Sequence, residues 1–220
     1  QDAPAPARPV RQTAQPAEQS VAVLPFANMS ANVDDGYFAD GITEEIINLL
    51  AQLKGLHVAA RTSSFALNGM DEDLRVVGEK LGVQHILEGI VRKAGSHVRI
   101  TAQLINAADG YHVWSERYDR DLVDIFALQD DIANAIATKL RLSLLEVPDR
   151  GVARPGLRNV EAYELLLKGR VLLRQRGPAT LDALACFQRA VALDPELVEA
   201  HALLSGAYRH MWSYGMAPAS

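Results

Sequence analysis

The residue types that most often carry catalysis or metal binding form no motif in this chain. Its six histidines never stand four residues apart, so the helical zinc-site spacing is missing. No serine lies in a Gly-x-Ser-x-Gly elbow, and Gly69 and Gly78 are too far apart for a loop that cradles phosphate. The acidic residues around Asp34 and Asp40 lack the spacing of a calcium loop. We therefore expect no cofactor, no metal and no catalytic residue, and we predict that this chain is not itself an enzyme.

Glu88 is the charged residue that fits its surroundings least. It interrupts an otherwise apolar predicted strand, and a buried carboxylate has to be paired. Counting across a turn at 93–96 places it opposite Thr101, with Arg99 as a diagonal neighbour. Two interpretations stay open for Glu88, a structural ion pair with an arginine and a contact to a ligand.

Polar side chains also follow two predicted strands at the point where each strand ends. Asn28 and Ser30 follow the first strand. Arg61, Ser63 and Ser64 follow the second. Because ligands of open parallel sheets bind beyond the carboxyl ends of the strands, these two polar loops are expected to lie side by side and to be a candidate ligand site. The alternative is that they only cap turns.

Composition limits the class of protein that can position these residues. The chain has 220 residues, 49% of them hydrophobic and 22% charged, and a formal net charge of −5, which suits one or two globular domains. A single cysteine, Cys186, excludes an internal disulfide framework. Residues 20–148 carry 11 basic against 18 acidic side chains. We therefore expect no binding of nucleic acid by this chain, and no membrane insertion because no apolar run of spanning length occurs.

Hydrophobic periodicity predicts an α+β domain with the order β-α-β-α-β-β-β-α and a mixed sheet. The first strand, helix and strand form a parallel unit, and the later strands alternate apolar and polar residues around an Asp109-Gly110 turn. The predicted elements are strand 21–26, a helix ending at Gly55, strand 56–60, helix 71–81, strands 83–92, 97–106 and 111–118, and a long helix that stops before Pro148.

The chain is predicted to divide into four segments. A disordered Pro/Ala/Gln linker comes first, then the α+β domain, a short connector and an all-α tetratricopeptide helical hairpin. The expected bounds are 1–19, 20–147, 148–158 and 159–220. The absence of an initiator Met leads us to expect a piece of a longer chain.

Small and aromatic residues after the connector fall in the order of a tetratricopeptide repeat, namely Gly169, Ala183, Phe187, Ala190 and Pro195. A second repeat begins after Pro195 but stops after its first helix, so we expect the array to continue beyond this chain. The last helix would then leave apolar side chains partly uncovered, at Leu203, Leu204, Tyr208, Met211 and Trp212. We expect this region to bind a protein or peptide, and its truncated end to favour a homodimer through these residues.

Nearly every element from residue 20 to 145 resembles the TolB-like (FlgO-related) domain of bacterial signalling proteins. The stretches that carry the resemblance are SVAVLPFANMS, YFADGITEEIINLLAQL, GLHVAARTSSFALNG, LGVQHILEGIVRKAGSHVRITAQLINAADGYHVWSERYDRDL and DIFALQDDIA. The chain departs from the family where Ile90 replaces a serine, which removes any polar role at that position.

The resemblance implies the middle segment of a longer signalling protein. Such domains follow a winged-helix DNA-binding domain or a class III nucleotide cyclase, often with a membrane helix between, and tetratricopeptide repeats come after them. We therefore expect a non-catalytic sensory or scaffold module, from a transcriptional regulator in the first place and from an adenylate or guanylate cyclase as the alternative. The compartment stays open, with the periplasmic side of an inner-membrane-anchored protein favoured over the cytoplasm.

Overall fold

The computed structural model describes residues 19–67, 72–140 and 158–213. Its strands and helices are, in chain order, β1 (Ser20–Val23), β2 (Ala27–Asn28), α1 (Gly36–Leu50), β3 (His57–Val58), α2 (Arg61–Ala66), α3 (Leu74–Leu81), β4 (His85–Ala94), β5 (His97–Asn106), β6 (His112–Asp121), α4 (Ile125–Lys139), α5 (Val160–Gln175), α6 (Ala179–Leu193) and α7 (Val198–Ser213). The predicted linker and connector lie outside the described residues, apart from Gln19 and Arg158. Across those three ranges, no helix has both the length and the apolar character needed to cross a bilayer.

The six strands of the described residues join one mixed sheet. A mixed sheet was predicted, but with five strands. The strand order of the sheet is β3-β1-β4-β5-β6, with β3, β1 and β4 parallel and β4, β5 and β6 antiparallel. The predicted strand 21–26 ends at Val23, ahead of Pro25, whose nitrogen cannot donate to a neighbouring strand. The unpredicted strand β2 follows and also pairs with β4, aligning Asn28 with Val91.

The β4–β5 hairpin turns more tightly than predicted. Ala94 pairs with His97, so only Gly95 and Ser96 form the turn, and Gly95 takes the positive φ of 57° that glycine adopts without strain. Every residue of β4 consequently faces a residue two positions farther along β5 than a four-residue turn would give.

The two faces of the sheet are covered unequally. Helices α1 and α4 lie on one face, where the alternate residues of β5, such as Val98, Ile100 and Leu104, are buried in a large apolar cluster. The opposite face carries a small cluster beneath α3, made of Ala22, Val77, Val83, Ile86 and Ala107. Asp73 caps the first turn of α3 and Gly82 ends it in the left-handed conformation. The predicted helix 71–81 thus ends at Leu81 as predicted but begins three residues later, at Leu74.

The three C-terminal helices extend the larger cluster rather than forming a separate core. Leu166 of α5 is fully buried in the same apolar cluster as the sheet and α1. Gly169 faces the ring of Phe187, where a Cβ would lie 2.5 Å from a ring carbon, so the small residue allows α5 and α6 to pack closely. Phe187 is fully buried, in the role that the repeat pattern predicted for it.

Candidate functional site

Charged side chains cross the boundary between the α/β domain and α5–α7, and we call this group the junction. Its members are Glu44 and Glu45 of α1, Arg61 of α2, Lys93 of β4, Glu164, Arg170 and Arg174 of α5, and Glu199 of α7. Five separate elements contribute to it, so a displacement of any one of them disturbs the contacts of the others.

Glu44 is the centre of the junction because two arginines from different elements share its carboxylate. Arg61 pairs with one oxygen and Arg174 with the other, while the Glu44 side chain is only 8% exposed. Arg61 also stacks on the ring of Phe65, 3.8 Å from its centroid. Burial lowers the pKa of Arg61 below its ordinary value, and the nearby Glu44 carboxylate acts in the opposite direction.

Asp40 lies one helical turn before Glu44 and is affected by the same group. Burial raises the pKa of its carboxyl above the ordinary value, the positive charges of Arg61 and Arg174 oppose that rise, and repulsion by Glu44 adds to it. The fold therefore disfavours the ionised form of Asp40.

Arg170 joins three helices. Its guanidinium lies 2.6 Å from a carboxylate oxygen of Glu45 in α1 and also pairs with Glu199 in α7. The Arg170 and Glu45 side chains are 12% and 14% exposed, so water screens this pair less than it screens the surface pairs.

Lys93 closes the other end of the junction. Its ammonium lies 2.6 Å from Glu164 of α5 and 3.4 Å from Asp35, just before α1. Burial alone would lower the pKa of Lys93, but the hydrogen bond to Glu164 and the attraction of nearby negative charges outweigh it and raise that pKa. The sheet itself is therefore tied to α5.

Apolar packing runs beneath these ion pairs. A Cβ on Gly41 would lie 2.7 Å from a methyl carbon of Leu167, so any larger residue at 41 would require the Leu167 side chain to shift. Tyr163 of α5 is buried edge-on against Phe126 of α4, and its hydroxyl lies 3.3 Å from the Gln129 amide nitrogen. Such a contact resembles the interior of one domain more than a loose interface between two.

A cavity of about 270 Å³ opens at the junction and unites residues from two separate sequence predictions. Arg61, a predicted ligand-binding residue, and Leu203, a predicted protein-interaction residue, both line it with Glu44, Arg170 and Arg174. The other predicted ligand-binding and protein-interaction residues do not line this cavity.

The residues of the predicted strand-end site fall into two groups of contacts. Asn28 accepts a hydrogen bond from the backbone of Ser30, whose hydroxyl accepts another from the backbone of Lys93, so this loop is fixed to β4. Arg61, Ser63 and Ser64 form the first turns of α2 rather than a loop. Ser63 is exposed and Ser64 is fully buried.

The predicted surroundings of Glu88 are wrong. Because the hairpin turn is two residues shorter, Glu88 pairs with Gln103 and not with Thr101. Arg99 binds Asp119 instead, with 2.7 Å between guanidinium and carboxylate. Glu88 is half-buried and lines a shallow cavity of about 230 Å³ on the open face of the sheet.

The predicted interaction residues of α7 differ in their exposure. Met211 is buried, and Leu203 and Leu204 are half-buried against the main cluster, since α7 packs on α5 and α6. Trp212 is 86% exposed and Tyr208 is 40% exposed. The apolar surface available to a partner is thus smaller than the truncated repeat predicted.

A third cavity, of about 770 Å³, lies at the opposite end of the parallel strands from the predicted ligand site. Gly78 of α3, His85 at the start of β4 and Asn106 at the end of β5 line it, with Arg75 and Val76. Burial lowers the pKa of His85, so the imidazole is neutral at physiological pH. This volume is within the range of small-molecule sites.

Apart from Arg61, the sequence interpretation missed the charged residues that form the junction. Glu44 and Glu45 fitted the first turns of an amphipathic helix, and their partners on α5, Arg174 and Arg170, are more than a hundred residues away. One local signal was available, because Arg170 and Arg174 stand four residues apart and share a helix face with the apolar Leu166 and Leu167.

Residues 17–135 match the family described as HilA/YgeH-like transcriptional regulator, second domain. The chain therefore belongs to this family of regulator domains. A protein from Rhizobium meliloti (strain 1021) named "Putative adenylate cyclase 3" is 45% identical over 191 residues, which is 86% of this chain and 32% of that protein. The chain thus spans about a third of the length of this relative.

Solved structures with a similar fold are more distant. TolB from Acinetobacter baumannii matches 56% of this chain and 28% of its own chain with a TM-score of 0.44 and 13% identity. Lipoprotein GNA1162 from Neisseria meningitidis matches 59% of this chain and 99% of its own chain, with a TM-score of 0.42 and 21% identity. The LpoB C-terminal domain from Salmonella enterica matches 48% of this chain and 84% of its own chain, with a TM-score of 0.38 and 14% identity. These similarities are too remote to bear on function.

Proposed function

We propose that this chain is a non-catalytic regulatory module of a bacterial multidomain signalling protein, in which the junction couples the α/β domain to the helices α5–α7. The observation that carries the proposal is the sharing of the Glu44 carboxylate by Arg61 and Arg174. Because Arg61 of α2 holds one oxygen of this carboxylate, a shift of α2 relative to α1 moves the Glu44 side chain. Its contact with Arg174 of α5 then changes as well.

The proposed module receives a signal on either side of the junction. Helices α5–α7 are the start of a tetratricopeptide array that binds a protein or peptide, with Trp212 and Tyr208 available on α7. The cavity beside His85 takes a small molecule on the α/β side. Binding at either site favours one arrangement of the domain relative to α5–α7 over another. Such a shift in the relative stability of two arrangements is what couples two binding sites.

Two output activities are candidates for the whole protein. Transcriptional control is the first, because the family is one of transcriptional regulators. Regulation of an adenylate cyclase is the second, because the Rhizobium meliloti relative that matches 86% of this chain carries that name. The sequence upstream of Gln1 in the natural gene separates them, since a recognition helix rich in Lys and Arg and a metal-binding pair of aspartates are easily told apart.

For the compartment we propose the periplasmic side of an inner-membrane-anchored protein, on the strength of the domain order of the resembling family. Protease added to spheroplasts that make the natural full-length protein digests this region if the proposal is right. A region that is cut only after cell lysis contradicts it.

The absence of catalysis and of DNA binding is tested on the 220-residue chain. Incubation with ATP or GTP and Mg²⁺ or Mn²⁺ is expected to yield no cyclic nucleotide. Random duplex DNA is expected to keep its mobility, because phosphate binding needs clustered lysines and arginines and this chain is acidic. Cyclic-nucleotide formation or a salt-sensitive shift would refute the corresponding part of the proposal.

The coupling itself is tested in a chimera. The 191-residue matching region of the Rhizobium meliloti protein is replaced by this chain, and cyclic AMP formation is measured. Glu44→Gln is expected to change the rate by about fivefold, the low end of typical coupling between sites. Arg189→Gln, which breaks the exposed Glu161–Arg189 pair on α5 and α6, is the matched control and is expected to leave the rate unchanged. Equal rates for the chimera and its Glu44→Gln variant would overturn the coupling.

A further inference from the structure

β6 is the last strand of the sheet and has a neighbour on one side only, within the part of the chain that the structure describes. It is ten residues long and contains no proline, and only Trp114 and Tyr118 of the ten side chains are buried. A free strand edge of this length presents a row of unpaired backbone donors and acceptors to another strand. Most natural edges of this kind are either covered or made unsuitable for pairing by their charges.

The charges of β6 are arranged symmetrically around Tyr118. Glu116 and Arg117 precede it, and Asp119 and Arg120 follow it. In an antiparallel pair of two β6 strands centred on Tyr118, Arg117 faces Asp119 of the second copy. Glu116 faces Arg120 of the second copy in the same way. Side chains directly opposite each other are about 5 Å apart at Cβ, so all four charges of each strand meet an opposite charge.

The neighbouring registers place like charges opposite each other. A pair centred on Arg117 brings the two copies of Arg117 together, and a pair centred on Asp119 brings the two Asp119 carboxylates together. Intermediate registers would bring residues from opposite faces of the sheet together, which the pleat does not allow. Of the registers centred on 117, 118 and 119, only the one centred on Tyr118 avoids like-charge contacts among these four residues and pairs all of them with opposite charges.

Two of these side chains already pair with neighbours on their own chain. Asp119 is paired with Arg99 of β5, and the Arg120 guanidinium lies 3.5 Å from Asp131 of α4. The Asp119–Arg99 hydrogen bond lowers the pKa of the Asp119 carboxyl. A second copy would add charge pairs to these existing ones.

We propose that β6 is a homodimer interface, in which two copies of this chain pair antiparallel about Tyr118 and join their sheets into one. A second copy is the occupant because the strand is charge-complementary to itself. The dimer interface lies on the α/β domain and leaves Trp212 and Tyr208 of α7 free for another partner.

Molar mass by light scattering over a dilution series of the full chain tests this interface, with circular dichroism as the check of folding. The wild type is expected to be a dimer whose dissociation increases on dilution and in high salt. Arg117→Glu and Asp119→Arg each create like-charge contacts across the two-fold axis and are expected to be monomers. Arg117 is 67% exposed, so its replacement leaves the fold intact.

Mixing the two variants gives the decisive result. In a mixed pair, Glu at position 117 of one copy faces Arg at position 119 of the other, and Arg117 of that other copy faces Asp119 of the first. The equimolar mixture is therefore expected to regain the dimer mass that each variant alone has lost. Trp212→Ala is the control on α7 and is expected to keep the wild-type mass.

Four results would overturn the proposal. They are a wild type that is monomeric at every concentration, an Arg117→Glu variant with the wild-type mass, a folded mixture that stays monomeric, and a Trp212→Ala variant that alone becomes monomeric. The last result would place the interface on α7.

Discussion

The two faces of the sheet differ in what lies on them. On one face, the side chains of β5 continue through α1 and α4 into α5–α7 as one apolar cluster. On the other, α3 covers only the starts of the strands, and Ile90 is 41% exposed farther along β4. The covered face therefore holds most of the buried apolar core, whereas the open face leaves part of its apolar surface to solvent.

A pair of matched truncations measures this difference between the faces. Leu167→Ala removes a fully buried side chain between α1 and α5, and we expect it to lower the free energy of unfolding by about 2–5 kcal/mol. Ile90→Ala on the open face is expected to change it by no more than about 0.5 kcal/mol. Urea unfolding monitored by circular dichroism gives both values. Similar losses in the two variants would erase the distinction.

The ion pairs sharpen the same comparison. Glu44→Gln leaves Arg61 and Arg174 without their shared carboxylate in a partly buried site. We expect it to lower the free energy of unfolding by about 1–3 kcal/mol. Arg189→Gln, which removes an exposed pair, is expected to cost less than about 1 kcal/mol. Thermal unfolding of the two variants at equal protein concentration measures both losses of stability. Equal losses would show that the junction is no more important than the surface pair.

A capping contact fixes where α5 begins. The Asn159 side-chain oxygen accepts a hydrogen bond of 3.0 Å from the backbone of Ala162, and its amide nitrogen donates to Leu193. Asn159→Ala is expected to lower the free energy of unfolding by about 1 kcal/mol. Asn159→Ser, which keeps a capping oxygen, is expected to recover most of the loss. Equal losses for the alanine and serine variants would show that the cap is not the cause.

The smallest expected effect depends on pH. Because burial raises the pKa of Asp40 in the folded protein, ionising it lowers the stability as the pH rises from its ordinary pKa of 3.8 through the folded-state pKa. Asp40→Asn cannot ionise and is therefore expected to be slightly more stable than the wild type at neutral pH. The two proteins should approach the same stability below pH 3.8, as urea titrations at several pH values can measure. A gap that widens on acidification would have the wrong sign.

Local patterns predicted most of the α/β fold. The parallel β-α-β unit, helix α3 with its cap, and the alternation along β5 all depend on neighbours within a few residues. The exceptions are also local in origin, since the serine-rich start of α2 looks like a loop and a four-residue turn was predicted where the hairpin uses two. That turn alone moved the predicted neighbour of Glu88 from Gln103 to Thr101.

The junction was beyond such patterns for a physical reason. The bonds from Arg170 to Glu45 and from Arg174 to Glu44 span 125 and 130 positions in the chain. Helical periodicity identifies a buried face but not the element that covers it. The sequence therefore indicated that Arg61 and Leu203 are of interest, but it did not indicate that they line the same cavity.

Amide hydrogen exchange under native conditions tests most directly whether the α/β domain and α5–α7 form one coupled unit. Leu167→Ala is expected to lower the protection of buried amides in α1 and in α5 by the same free energy, because the two helices share one core. A loss of protection confined to α5–α7, with α1 and β4 as protected as in the wild type, would show that the helices open independently and would contradict the account.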